Sequence, residues 1–167
     1  MKKEISAGLI VYGLAANAVP KFLLLYHGGR YWNFPKGRIE MSNENLSISG
    51  QGKTEKINRR ESSIQTAFRE TFEETGLRRR ELMLKRGFKI HQRYRFFRNK
   101  KPIFKTVIYY LAETKTRQIN ISDEHEGYGW FNCKDALFIL SQHKDSQGIL
   151  KKAFNFIVRS QPLSPLR

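Results

Sequence analysis

Glu70, Glu73 and Glu74 stand at i, i+3 and i+4 in a chain that is otherwise short of acids. At 3.6 residues per turn, three such carboxylates project from one side of a helix. Like charges at that spacing repel by a few tenths of a kcal/mol per pair, so helix stability does not call for them. A hard divalent cation reverses the sign of that effect. Mg²⁺ takes oxygen ligands and commonly sits between carboxylates and the phosphates of a substrate. The alternative is a solvated acidic face balanced by Arg69 and by the arginines that follow Gly76. Composition points to an anionic partner. The 167 residues carry 31 Lys and Arg against 15 Asp and Glu, a formal charge of +16. A field of that sign favours nucleic acid, nucleotide polyphosphates or an acidic membrane surface, and disfavours cationic substrates. The single cysteine, Cys133, excludes an intramolecular disulfide and a multi-cysteine zinc site, and reads as a small buried residue.

These groups need a scaffold. Hydrophobic residues make up 40% of the chain and aromatics 13%, which predicts one folded domain over 1–160 with a tail at 161–167. Residues 61–75 read as a helix that Gly76 stops. The apolar runs 7–13 and 21–26 predict buried strands. A signal peptide ending at Ala16-Asn17-Ala18 is the competing reading of the start, but Glu4, Gly8 and Gly13 interrupt it. Residues 41–60, rich in Ser, Asn, Gly and Lys, predict an exposed inserted loop. Strands are expected at 82–90, 92–97 and 104–113, a polar loop at 123–129, and helices at 135–142 and 147–159. Leu150, Ala153, Phe154 and Ile157 form a packing stripe on the last helix. No apolar run reaches the roughly 18 residues of a membrane-spanning helix, so no membrane partner is expected. The near-absence of cysteine is compatible with the cytoplasm.

The wider register is more specific. Arg69-Glu70-Thr71-Phe72-Glu73-Glu74-Thr75-Gly76-Leu77 follows Glu61 after seven intervening residues, and Gly37 lies upstream. This resembles the Nudix box: Gly, five residues, Glu, seven residues, Arg-Glu-aliphatic-any-Glu-Glu-any-Gly-aliphatic. Two departures stand out. Between Gly37 and Glu61 there are 23 residues where the box has five, and Thr71 takes an aliphatic position. A loop inserted after Glu40 accounts for the first, since closure entropy grows only logarithmically with length. Thr71 can pack as a β-branched residue with its hydroxyl bonded back along the helix. Trp32 to Lys36-Gly37, Lys105-Thr106-Val107-Ile108-Tyr109 and Glu124-His125 to Tyr128-Gly129-Trp130 extend the likeness. They resemble the asymmetric diadenosine tetraphosphate hydrolase and RNA pyrophosphohydrolase branch of the family.

The resemblance implies an α/β fold, an α/β/α sandwich with a mixed sheet and a loop–helix–loop catalytic motif. It implies Mg²⁺ or Mn²⁺ held by Glu70, Glu73, Glu74 and the Gly37 carbonyl. Glu124, preferred to Glu126, would be a further ligand or the general base, and Glu70 remains the other candidate base. Arg69 and Glu61 would orient the ligands. Lys36 and Lys105 would meet a polyphosphate, and Tyr128 and Tyr94 (or Phe96 in place of Tyr94) would stack on a base. His125 would serve as a structural hydrogen-bonding residue. The implied activity is hydrolysis of a dinucleoside polyphosphate, diadenosine tetraphosphate giving ATP and AMP. The alternatives are an RNA 5′-pyrophosphohydrolase and a catalytically weak nucleotide- or RNA-binding protein. Residues 78–105 keep RNA ends in view as a partner, because they hold twelve Lys and Arg against Glu81 alone, interleaved with Phe88, Tyr94, Phe96, Phe97 and Phe104. That pattern predicts either a nucleic-acid groove or a phosphate-steering surface.

Overall fold

The computed structural model describes residues 2–29, 31–47 and 54–161; the expected tail lies outside them except for Gln161. In chain order the strands are β1 (Lys2–Leu14), β2 (Pro20–Tyr26), β3 (Trp32–Asn33), β4 (Lys36–Arg38), β5 (Met41–Ser47) and β6 (Thr54–Arg60). Then come α1 (Ser63–Thr75), β7 (Met83–Arg98), β8 (Lys101–Glu113), β9 (Gly127–Asn132), α2 (Cys133–Ile139) and α3 (Lys144–Ser160). From Ser6 to Tyr12, β1 is buried on both faces. This explains why its sequence reads as an apolar run rather than an alternation. It pairs in parallel with β8 from Lys2↔Ile103 to Tyr12↔Glu113. The main path of the mixed sheet is β3-β2-β1-β8-β7, with β4 on β1 and β9 on β2.

Strand alternation builds a core on each face. On one, Ile10, Tyr12, Phe22, Leu24, Val107 and Tyr109 pack with Ala136, Leu140, Leu150, Ala153 and Ile157 of the α2–α3 layer. On the other, Ala7, Leu9, Val11, Leu23 and Leu25 pack with Ala67 of α1 and with Leu77. The result is the expected α/β/α sandwich. The α3 stripe packs as its spacing predicts, with Phe154 at the margin. Cys133 opens α2 and is only partly buried against the α3-side core. Among the described residues no helix is long and apolar enough to cross a membrane.

Three local expectations change. Residues 41–60 are not an irregular loop: β5 and β6 pair antiparallel from Met41↔Arg60 to Ser47↔Thr54. A two-stranded ribbon satisfies its backbone across the pair, so it does not need the apolar pattern by which a strand is recognised. Glu61 N–H donates to the Glu40 carbonyl at 2.9 Å and closes the base of the ribbon. The insertion therefore leaves the chain and rejoins it at adjacent points. The expected strands 82–90 and 92–97 are one strand, β7, with an irregular register between Leu84 and Lys89 where Gly87 takes φ +87°. Finally, α1 begins after Glu61. Ser62 caps it in a reciprocal capping box with Gln65, and Gly76 ends it at φ 74°.

Thr71 is fully buried and donates its hydroxyl to the Ala67 carbonyl at 2.7 Å. That carbonyl already lies in the helix ladder, so the side-chain bond is supplementary. Thr71→Val is expected to shift the unfolding free energy by no more than about 1 kcal/mol in urea titration. A loss several times larger would show that the hydroxyl is required.

Candidate active site

One edge of β1 is shared between two partners. Tyr12–Leu14 pair with β2, while Ser6–Gly8 pair with β4. The β4 segment brings Gly37 opposite Ala7, on the face that α1 covers. A Cβ on Gly37 would overlap the carboxyl group of Glu70. The Glu70 carboxylate therefore rests on bare backbone, which only glycine offers.

The carboxylates fan out across α1 rather than sharing one environment. Glu74 turns inward: one oxygen accepts the Lys36 N–H at 2.9 Å, and the other lies 3.6 Å from His125 Nε2. Glu70 is largely buried, whereas the Glu73 side chain is 53% exposed. Arg69 binds them together. Its Nη1 donates to Glu70 at 2.9 Å and to Glu73 at 3.0 Å. Its Nε and Nη2 grip Glu61, and Nη2 also donates to the Arg38 carbonyl at 3.0 Å. Thr66 donates to Glu61 as well, so Glu61 reaches the box from outside the helix. Among the described residues, no three acidic, His or Cys side chains converge closely enough to hold an ion as they stand. Glu70 and Glu73 are turned toward the guanidinium instead.

Burial sets the electrostatics. It raises the Glu74 pKa to about 8, with help from the charges of Glu70 and Glu124 and against the Lys36 N–H and ammonium. Burial also raises Glu70, opposed by Arg69. Burial would raise Glu61 too, but the bonds from Arg69 and Thr66 outweigh it and hold that carboxyl below the usual range. On the cationic side, burial lowers Lys36, partly offset by Glu74 and Glu70. Burial and the neighbouring Lys36 charge lower Lys105.

Glu124 is exposed, and its charge acts on both Glu74 and His125. Glu126 turns away, its carboxyl packed over Gly28. Of the two acids, Glu124 is thus the one whose charge reaches Glu74. His125 bonds Ser122 through Nδ1 at 3.1 Å, and its ring centroid lies 4.4 Å from that of His27.

Lys105 lies directly opposite Tyr94 in the β7–β8 register. The interval between them, long in sequence, is that of a tight hairpin: Asn99 and Lys100 form its tip at φ 51° and 61°. Two consecutive positive φ values fit a hairpin's right-handed twist. Phe96 pairs with Ile103 instead, its ring centroid 6.2 Å from that of Tyr94. Tyr94 also lines a cavity of about 540 Å³ with Tyr31, Asn33, Gln92 and the loop leading into α3. Tyr128 is 38% exposed and shares its side of β9 with Trp130, on the α1 face. It makes no ring contact with Tyr94 among the described residues.

The NUDIX domain pattern matches residues 6–153. The chain belongs to the NUDIX family. Its relatives include the asymmetrical bis(5′-nucleosyl)-tetraphosphatase of Sus scrofa, 34% identical over 145 residues that cover 84% of this chain and 83% of the pig protein. The Mus musculus protein of the same name is 32% identical over the same shares. The crystal structure of a C. elegans Ap4A hydrolase binary complex superposes with a TM-score of 0.70 at 26% identity, covering 93% of this chain and 98% of that one. This NUDIX chain is accordingly a pyrophosphohydrolase, and enzymes of the family generally use divalent metal ions.

Two features of this NUDIX site escaped the sequence. Tyr109 is fully buried and its hydroxyl has no hydrogen-bond partner among the described residues; burial, with the charge of Glu74 adding, raises its pKa well above the usual phenol value. The alternation Lys105, Val107, Tyr109 could have flagged it. His27 had no such signal; burial and His125 lower its pKa to about 4. Conversely, the basic stretch 78–105 does not form one groove. Alternation along β7 and β8 sends Tyr94 and Lys105 to the α3 face, and leaves Lys89, Arg93 and Arg95 exposed on the α1 face.

Proposed function

We propose that this NUDIX enzyme hydrolyses a dinucleoside polyphosphate, splitting diadenosine tetraphosphate into ATP and AMP with the help of a divalent cation. The carrying observation is the pair Lys36 and Lys105: Lys36 is a desolvated cation that feels the charges of Glu74 and Glu70, and Lys105 is a partly desolvated cation that the Lys36 charge repels. A polyphosphate placed between them relieves that repulsion, and lysine is a compact phosphate partner. The names of the pig and mouse relatives, which specify a tetraphosphatase and an asymmetrical cut, support the same reading. So does the cavity beside Tyr94, which offers an aromatic wall to a base.

The donor set fits a hard cation. It consists of oxygens: the carboxylates of Glu70, Glu73, Glu74 and Glu124 and the Gly37 carbonyl. Glu74, buried and reluctant to ionise, is the group that a cation would stabilise most. When bound, Mg²⁺ or Mn²⁺ neutralises phosphate charge and acidifies water. The chain does the rest. Arg69 and Glu61 hold the box side chains in place, Lys36 and Lys105 bind and orient the phosphates, and Glu70 or Glu124 accepts the proton of the attacking water. Comparing the pH profiles of kcat for Glu70→Gln and Glu124→Gln identifies the acceptor, since loss of the base removes the limb it governs.

A substrate panel with Mg²⁺ tests the reading. Diadenosine tetraphosphate should yield ATP plus AMP. Release of pyrophosphate or phosphate from triphosphate-ended RNA, with the dinucleotide left intact, would replace it with an RNA 5′-end hydrolase. No turnover of either substrate would leave a binding protein. Lys105→Gln should raise KM for diadenosine tetraphosphate by about tenfold or more, the usual worth of a charge-assisted bond. An unchanged KM would remove Lys105 from the phosphate site.

A further inference from the structure

The α1-side surface of the β7–β8 hairpin has no part in the site above. Among the described residues, its exposed side chains run across three strands. Its register forms rows across the sheet: Lys3 lies beside Phe104, and Phe104 beside Arg95. Arg93 stands two residues before Arg95 on the same face, and Phe97 two residues after it. Phe97 is 63% exposed and Phe104 37% exposed, while Lys3, Arg93 and Arg95 are exposed as well. The Arg95 guanidinium lies 5.6 Å from the centroid of the Phe97 ring. Among the described residues, Lys3, Arg93 and Arg95 form no ion pair with a carboxylate. This is a patch of uncompensated cations with aromatic rings set between them.

We propose that this face, built from Lys3, Arg93, Arg95, Phe97 and Phe104, binds single-stranded nucleic acid, with phosphates on the cations and unpaired bases on the two phenyl rings. Charge complementarity selects a polyanion. The rings select among polyanions. A base stacks on an exposed ring only when its face is free, which holds for a single strand and not along a duplex. An anionic membrane would engage the same cations and rings, so vesicle binding is the competing outcome. Stacking on phenylalanine reads neither base identity nor the 2′-hydroxyl, so RNA and DNA should bind alike. The proposal is independent of which polyphosphate the enzyme cuts, because none of its five residues belongs to the box, and Lys105 and Tyr94 lie on the opposite face of the sheet.

The test is fluorescence anisotropy with the full chain, metal-free, and labelled RNA and DNA 12-mers that carry a 5′-hydroxyl and so offer no terminal phosphate to the box. Both strands should bind, and the affinity should fall steeply with salt. Arg93→Glu with Arg95→Glu should weaken binding at least tenfold and flatten the salt dependence, by roughly 0.7 in log–log slope for each phosphate no longer neutralised. Phe97→Ala with Phe104→Ala should weaken the single strands about tenfold and leave binding of a matched duplex unchanged. Melting temperatures and far-UV circular dichroism, measured separately, should match the wild type within a few degrees in all these variants and so report an intact fold. If the phenylalanine pair fails to fold, Lys3→Glu with Arg95→Glu carries the test. Unaltered binding in the charge-reversed protein, or no binding by the wild type, overturns the proposal. Equal affinity for the duplex, without an effect of the phenylalanine changes, overturns it in favour of an unselective polyanion surface, and affinity for phosphatidylserine vesicles that matches or exceeds that for the single strands overturns it in favour of a membrane surface.

Discussion

Glu74→Gln is expected to lower turnover by a factor of about 100 or more while leaving the metal-free fold at least as stable as the wild type near and above neutral pH. The two halves of that expectation have one cause. Glu74 is buried, and burial lifts its pKa from the usual carboxylate value to about 8. Between the unfolded value of 4.5 and about 8, the folded protein holds a proton that the unfolded chain has released. Stability from this group is therefore fully present below pH 4.5 and is lost as pH rises through 8. Glutamine imitates the protonated carboxyl and does not titrate. It should bring no gain at pH 4, and a gain that grows with pH and levels off above 8. Melting curves in EDTA at pH 5, 7 and 8.5 measure this; a variant less stable than wild type at every pH would contradict the burial argument. The same pKa governs metal binding, because a ligand must lose its proton first. Apparent Mn²⁺ affinity in the wild type should rise up to about tenfold per pH unit between 6 and 8, then flatten. In Glu74→Gln the affinity should be weak, and this part of the slope should vanish. Near-normal turnover in the variant would remove Glu74 from the site.

Glu74 also shows what could be read in advance. The spacing of Glu70, Glu73 and Glu74 sets their angular positions on any helix, so their neighbourhood was legible. Their different fates were not, because spacing says nothing about which side of the fan meets the sheet. Glu73 ends exposed and Glu74 buried for that reason. The sandwich was legible through the buried runs of β1 and β2 and the stripe on α3. The β5–β6 ribbon was not, since its backbone pairing leaves no apolar trace. The basic stretch 78–105 failed for a related reason. Charge adds up along the chain, but a strand distributes its side chains to two faces, and a count cannot see that division. The Tyr94–Lys105 pairing became visible only when the positive-φ turn at Asn99 and Lys100 fixed the register.

Two glycines one strand apart should respond to the same substitution in opposite ways. Gly8 of β1 pairs with Lys36, and an added Cβ there would collide with the Pro35 carbonyl oxygen and the Lys36 Cβ. The Pro35 oxygen is backbone and already accepts the Leu9 N–H at 3.2 Å, so it cannot move without parting β1 from the segment that carries β4. Gly8→Ala is expected to destabilise by about 1–3 kcal/mol. At Gly37 the obstacle is different. The added Cβ would meet the carboxyl group of Glu70, the far end of a flexible side chain on another element. That group can swing aside at little cost to the fold. Doing so takes the carboxylate off the β4 backbone and strains its bond to Arg69 Nη1, which also holds Glu73. Gly37→Ala should therefore melt within a few degrees of wild type but lose about a hundredfold or more in kcat/KM, with weaker Mn²⁺ binding. Differential scanning calorimetry and initial rates on both variants separate the cases. If Gly37→Ala lost stability as Gly8→Ala does and kept its rate per folded molecule, the close approach of Glu70 to Gly37 would be packing alone. Loss of rate in a stable protein would instead tie that approach to the chemistry, because the only group displaced is the carboxylate.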